Sequence, residues 1–395
     1  QKRLLNGHLG YRFDDDRTLS ALINVLDNPR AEDPSALTAE EIAEDPSQAR
    51  DFAIDLDSRQ EVEQQFLGLH YQDLALGDGE FNARTFLSRR DFFQQLPFPG
   101  SSRIDYERTY YGGSLDYTLP LTLAARPLRT VVGLDLARQE DDRGRRSVDG
   151  ITGDEQQNAT ASGAFLQAEL GLTERLGLSA GVRHDSVRMT IDDRLVAADD
   201  PDESGSRTFR EWTGSLGLSV RFHPDHQLYA TLGSAFETPT FTEFAPSDGS
   251  GGFNPDIEPQ TSLNRELGLR GRLGGELSYD LAAFSVLVDD ELIQFQASDG
   301  RDYFENAGET RREGIELGLE WNPSLDWRLT SALTLADYAF ERFRDENGRY
   351  DGNDLPGLPS RLWMNRLTGY GSGERFTTLE VQYTGSFYAD NANEV

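Results

Sequence analysis

Apolar residues recur at every second position along most of this chain, in runs that pair off around short polar turns. The clearest pair is Gly314–Leu335, GIELGLEWNPSLDWRLTSALTL. Ile315, Leu317, Leu319 and Trp321 fall on one face of its first arm, and Gly314, Glu316, Gly318 and Glu320 on the other. Beyond the turn 322–326, Trp327, Leu329, Leu333 and Leu335 oppose Arg328, Thr330, Ala332 and Thr334. A period of two on both sides of a tight turn predicts an antiparallel β-hairpin. Each arm has roughly the 9–11 residues with which a tilted strand crosses a bilayer, and a Trp stands at each shoulder of the turn, where aromatic girdles lie.

The same unit repeats along the chain. Lys2–Phe13 turns at Asp14–Asp16 into a run carrying Leu19, Ala21, Ile23 and Val25. Val62–Leu76 turns at Gly77–Gly79 into Phe81–Phe93, and Tyr106–Leu119 leads through a looser turn with Pro120 and Pro127 into Leu128–Leu136. Ala161–Leu172 pairs with Leu178–Thr190, and Phe209–Phe222 with Leu228–Phe236. Leu263–Leu273 pairs with Leu277–Val288, which continues irregularly towards Phe295; Tyr303–Glu313 precedes the first hairpin, and Leu362–Gly371 pairs with Phe376–Phe387. Long polar connections separate these units at 27–57 (with a short helix expected at Leu37–Ala49), 138–158, 191–206, 237–261 and 341–360.

About sixteen strands result, with connections alternating short and long. A soluble sandwich has no reason to gather its short turns at one end, whereas an outer-membrane barrel does: its periplasmic turns are short and its extracellular loops long. The fold predicted is an all-β, antiparallel up-and-down transmembrane β-barrel.

Composition changes this picture little. Only 37% of the residues are hydrophobic, mean hydropathy is −0.59, and no apolar run approaches a transmembrane helix. A barrel with a wet interior has that bulk polarity. The net charge of −31 argues against a nucleic-acid surface, and its acids gather in the long connections, as on a solvated outer surface. With no Cys there is neither a disulfide nor a thiolate metal site, and with only two Met no copper-selective site is expected. The histidines, His8, His70, His184, His223 and His226, are scattered, so no metal site or cofactor is predicted, and no Ser/His/acid grouping marks an enzyme.

One region carries a family resemblance. Phe236, Pro239 and Glu243 match an F-x-x-P-x-x-x-E strand exit, and Asn254, Pro255, Ile257, Pro259 and Ser262 loosely match N-P-x-L-x-P-E-x-S, with Gln260 in place of the acid. Asn306, Gly308, Arg311, Gly314, Ile315 and Glu316 match N-x-G-x-x-R-x-x-G-[IV]-E, and Gly352, Pro356 and Pro359 resemble a later G-x-x-x-P-x-x-P. In this order the chain resembles the C-terminal half of TonB-dependent outer-membrane receptors. The motif residues are read as architectural, with Glu316 facing the lumen and Arg311 or Arg312 as its expected partner.

The resemblance implies an outer-membrane receptor of a Gram-negative bacterium, taking up a ferric siderophore or similar chelate with energy from the TonB complex. Its barrel of about 22 strands is plugged by an N-terminal domain. Residues 1–395 are then expected to be a partial barrel, with the plug, the TonB box and the terminal strands lying elsewhere. Outer-membrane lipid and lipopolysaccharide are the expected surroundings. Arg90, Phe92, Arg301, Tyr303 and Arg312, near the outer ends of strands, are the candidate contacts to an anionic metal chelate, through stacking and charge-assisted hydrogen bonds. A passive porin and an outer-membrane hydrolase are the alternatives.

Overall fold

A computed structural model describes residues 2–97, 101–147, 149–196, 202–244, 253–296, 302–344 and 348–395. Sixteen strands form one sheet, each hydrogen-bonded to its neighbours in chain order and antiparallel throughout. They are β1 (Arg3–Arg12), β2 (Arg17–Glu32), β3 (Arg59–Leu76), β4 (Gly79–Gln95), β5 (Ser101–Leu123), β6 (Arg126–Ser147), β7 (Gly150–Gly171) and β8 (Leu176–Asp193). The second half comprises β9 (Gly205–His223), β10 (His226–Glu237), β11 (Gln260–Leu273), β12 (Leu277–Gln296), β13 (Asp302–Ser324), β14 (Trp327–Phe343), β15 (Arg361–Tyr370) and β16 (Phe376–Thr384). Among the described residues β1 and β16 are the two edges of the sheet.

The two faces differ as the alternation requires. Leu67, Leu87, Leu115, Leu134, Leu136, Leu166, Val182, Trp212, Leu216, Leu267 and Ile315 share one face and stand exposed, Leu134 and Leu136 at 58%. A water-soluble sheet would have to cover such a surface; hydrocarbon covers it here. The opposite, inner face is polar and internally bonded. Arg183 binds Asp185 on its own strand and Asp135 two strands away, at 2.6 and 2.5 Å. His70, Asn82, Asp116 and Arg84 form a second chain of hydrogen bonds. Paired in this way, charges beside a lipid layer avoid the cost of standing alone.

The first hairpin has the expected register, Ile315↔Leu335 and Leu317↔Leu333, and turns at Leu325-Asp326. Gly314 sits where strands crowd: a Cβ there would lie 2.6 Å from the Leu335 carbonyl oxygen and 2.8 Å from Phe284. Backbone cannot retreat as a flexible side chain can. Gly314→Ala is therefore expected to cost about 1–3 kcal/mol, read as a lower thermal midpoint of the detergent-solubilised full-length protein; an unchanged midpoint would mean the contact relaxes freely.

Three details depart from the pattern reading. The turn between β5 and β6 is not loose: it closes on Ala124-Ala125, both at positive φ. Pro120 and Pro127 lie inside the strands, past the ends of their outer neighbours, where no ladder donor is missed. Second, residues 138–158 are not a loop. They extend β6 and β7 into a tall hairpin paired as far as Ser147↔Gly150. Third, the expected single helix is two short ones, α1 (Ala39–Glu44) and α2 (Asp51–Asp55).

A capping box between Thr38 and Glu41 starts α1, and Arg50 bonds the Glu41 carboxylate at 2.9 Å. These bonds, Arg50 first, push the Glu41 carboxyl down to about 2. A depressed carboxyl stabilises the fold above its ordinary value and loses that contribution as pH falls through the folded value. Protection of the Thr38–Arg50 amides, read from exchange rates corrected for their intrinsic pH dependence, is expected to fall between about pH 4.5 and 2 and to hold steady above. Protection independent of pH there would remove Glu41 as the organiser.

Candidate functional site

Two clusters occupy the inner face at the outer ends of the strands. The first lies on β4–β6, where register brings Phe92 opposite Tyr106, Arg90 opposite Arg108, and Tyr106 opposite Arg143. Phe92 and Tyr106 stack with ring centroids 4.8 Å apart and planes 15° from parallel. Arg90 lies over both rings, at 5.6 and 6.0 Å, and Arg108 lies 5.1 Å from the Tyr106 centroid.

These guanidiniums are not equivalent. Arg108 is neutralised by Asp141, a carboxylate only 3% exposed, through two bonds of 2.8 and 2.6 Å. Arg145 binds the buried Glu155 at 2.5 Å. Arg143, between Asp141 and Arg145 on β6 and opposite Glu155, bonds neither acid, and burial lowers its pKa from the ordinary arginine value. The Arg90 Nε is buried with no hydrogen-bond partner among the described residues. Arg90 and Arg143 thus lie beside the aromatic stack with no carboxylate bonded to them among the described residues.

The second cluster is apolar. The connection after β10 makes a 3-10 turn, Phe241–Phe244, whose Phe244 is 1% exposed. It packs with Met189, Ile191, Phe209 and Ile257, against Phe253, Leu292 and Phe304. The motif residues build this strap. Pro239 is buried, the Glu243 carboxylate accepts the Thr240 N–H at 2.5 Å, and the Asn254 N–H donates to the Phe244 carbonyl at 2.7 Å. Arg207 donates to the Pro255 carbonyl and pairs with Glu258. Asn306 on β13 accepts from the Glu258 N–H at 2.8 Å and donates to the carbonyls of Glu258 and Asp290 at 2.8 and 2.9 Å. The strap thus joins β8 and β9 to β12 and β13 across the inner face. Phe236 pairs with Thr261 at its start, Pro259 is buried at its end, and Gly308 admits Ile293 so closely that a Cβ would lie 2.8 Å from its Cδ1.

The candidate contacts meet different fates. Arg90 and Phe92 belong to the basic cluster. Arg312 is bonded to Glu291 at 2.8 Å and stands apart from it. Arg301 and the Tyr303 side chain lie outside the described residues. The expected partnership for Glu316 does not form: Arg311 faces outward and bonds Glu313, Asp337 and Glu341, and Arg312 is taken by Glu291. Sequence reasoning misses Tyr106, Arg108 and Arg143, because only register places them beside Arg90 and Phe92.

A sheet of long paired strands, lipid-facing on one side, polar on the other and strapped at one end, is the wall of a transmembrane β-barrel. The chain belongs to the TonB dependent receptor-like β-barrel family, whose model matches residues 4–395. That family is one of the Gram-negative outer membrane. A probable TonB-dependent receptor, BfrD of Bordetella pertussis, is 23% identical over 48% of this chain and 25% of its own length. The vitamin B12 transporter BtuB of Vibrio vulnificus is 26% identical over 41% of this chain and 22% of its own. Among solved structures, the ferric citrate transporter FecA superposes with a TM-score of 0.82 at 17% identity, over 100% of this chain and 59% of that one. The alcaligin receptor FauA of Bordetella pertussis gives 0.70 at 16%, over 97% and 60%. The matches span about a quarter of the length of those curated relatives, and the chain covers about three-fifths of each of those structures. The relatives named are receptors and transporters, not enzymes.

Proposed function

We propose that this chain is the barrel portion of an outer-membrane receptor that takes up a scarce, anionic metal chelate, most simply a ferric siderophore, with energy delivered by the TonB complex. The plug and TonB box belong, on this reading, to parts of the protein outside residues 1–395. The observation that carries the ligand class is the Phe92–Tyr106 stack beside Arg90, whose Nε is buried without a partner, and Arg143, which bonds no acid among the described residues. Matching proteins are titled as transporters of vitamin B12, ferric citrate and copper. A chain without Cys and with only two Met offers few of the soft donors copper calls for, and cobalamin has no need of paired guanidiniums. An anionic iron chelate uses both the charge and the aromatic stack.

Growth of the producing bacterium, deleted for the full-length gene, on single iron sources with haem and cobalamin alongside tests this reading. Loss of growth on one anionic iron chelate is expected, restored by the intact gene. Unchanged growth on every source, with altered permeability to small solutes, would favour a passive channel instead.

A further inference from the structure

β9 and β10 part towards the outer end of the wall. They pair from their turn as far as Ser215↔Gly233; beyond it β9 stays bonded to β8 up to Ile191↔Gly205, and β10 to β11 up to Glu237↔Gln260. The split begins at Gly214, whose N–H donates to the Ser234 hydroxyl at 3.0 Å in place of a ladder carbonyl. Alternate residues of a strand turn their backbone groups to alternate neighbours. Thr208, Arg210 and Trp212 therefore point theirs into the split, as Gly214 does. On that side none of the three has a backbone partner among the described residues.

The split is closed from within and open from without. On the inner side Phe209, 3% exposed, packs with Phe244 of the strap, and Arg207 is tied to Pro255 and Glu258. On the outer side Trp212 is 69% exposed, and Arg188 and Arg210 are exposed with no carboxylate bonded among the described residues. Hydrocarbon does not tolerate unpaired backbone groups, and an exposed Trp marks the level at which it gives way to water. The open edge thus begins at that level and rises above it, within reach of the cell exterior.

A bare strand edge is a template for another strand. In strand addition the main chain supplies affinity and the alternate side chains supply specificity. The outward side chains of an added strand would stand beside Arg210 and Arg188, which opposes Thr208 across the ladder. Its inward ones would meet the apolar cluster of the strap. We propose that the β9 edge over 208–212 takes up an extended segment of another protein at the cell surface, with carboxylates on its outward positions and apolar side chains on its inward ones. Placement in the barrel wall is all this requires; neither the imported chelate nor its energy source enters.

The probe is the peptide acetyl-Val-Glu-Val-Glu-Val-Glu-amide, with one counterpart carrying Lys for Glu and another methylated on alternate backbone nitrogens. Hydrogen-exchange mass spectrometry of the full-length protein in mild detergent reads protection over 207–213. The glutamate peptide is expected to slow exchange there, binding at least about fivefold more tightly than the lysine peptide. The methylated peptide, stripped of main-chain donors, is expected to leave exchange unchanged. Exchange unaltered by millimolar glutamate peptide would overturn the proposal, as would equal binding of either counterpart. The variant R188Q/R210Q is expected to bind the glutamate and lysine peptides alike, and a folded variant that kept the preference would also overturn it. The comparison among peptides decides the matter even if the variant does not fold.

Discussion

Phe244→Ala is expected to release the strap over the inner face and to lower stability by about 3–5 kcal/mol, the range for emptying a buried phenylalanine site. Phe244 is the centre of the apolar cluster, stacked 4.6 Å from Phe253 and 6.3 Å from Phe209 and packed on Met189, Ile191 and Ile257. Its loss removes contacts on both sides of the strap at once. The remaining ties are polar: Asn306 to Glu258 and Asp290, and Arg207 to Pro255 and Glu258. These lie nearer solvent and offset little of the lost packing. The expected result is a lower thermal midpoint of the full-length protein together with faster proteolytic cleavage in the connection between β10 and β11. Cleavage unchanged from the parent would mean that Asn306 and Arg207 alone hold the strap.

The second large effect concerns the basic cluster. Arg90→Gln with Arg143→Gln is expected to weaken binding of the anionic chelate by about 2–5 kcal/mol, roughly thirtyfold to a few thousandfold. The reason is desolvation. The buried Arg90 Nε has lost its water before the ligand arrives and the partly buried Arg143 has lost part of its own, so an arriving anion gains a charge-assisted bond at reduced further cost. Arg108 contrasts with both: Asp141 already holds its charge, and it helps chiefly by positioning Tyr106. Isothermal titration of the full-length protein with the chelate identified by growth reads the effect directly. Affinity unaltered in the double variant would remove this cluster from ligand recognition, leaving the family assignment untouched.

The fold is largely legible in the sequence because hydrocarbon imposes a strict rule on the outward face. Where strands cross the apolar layer, alternation such as Val132, Leu134 and Leu136 is unmistakable, and the short turns fall between such runs. Above that layer both faces meet water, and the period vanishes. Residues 138–158 therefore read as a charged loop although their backbone continues the ladder without interruption to Arg145↔Gly153. The two-residue turn at Ala124-Ala125 is hidden for another reason: alanine rarely adopts positive φ, and the prolines on either side suggest a longer, looser connection.

The candidate site is legible only in part. Arg90 and Phe92 show themselves as a cation and an aromatic on one face of a strand, but their partners depend on register. Tyr106 and Arg143 lie on β5 and β6, and nothing within either strand distinguishes Arg143, which bonds no acid, from Arg145, which does. Arg311 and Arg312 show the same limit. Adjacent in sequence, they point to opposite faces and bind different carboxylates. The motif residues carry a clearer signal, because prolines and an Asn at fixed spacing describe a built connection. Pro239, Glu243, Asn254, Pro255 and Asn306 converge on the strap.

The most direct test of the proposed function is uptake of the radiolabelled ferric chelate by cells carrying the full-length gene, with and without a protonophore. Saturable accumulation that stops when the proton gradient collapses is the result expected of a TonB-energised receptor. Uptake that rises linearly with concentration and ignores the protonophore would contradict it and establish a passive channel.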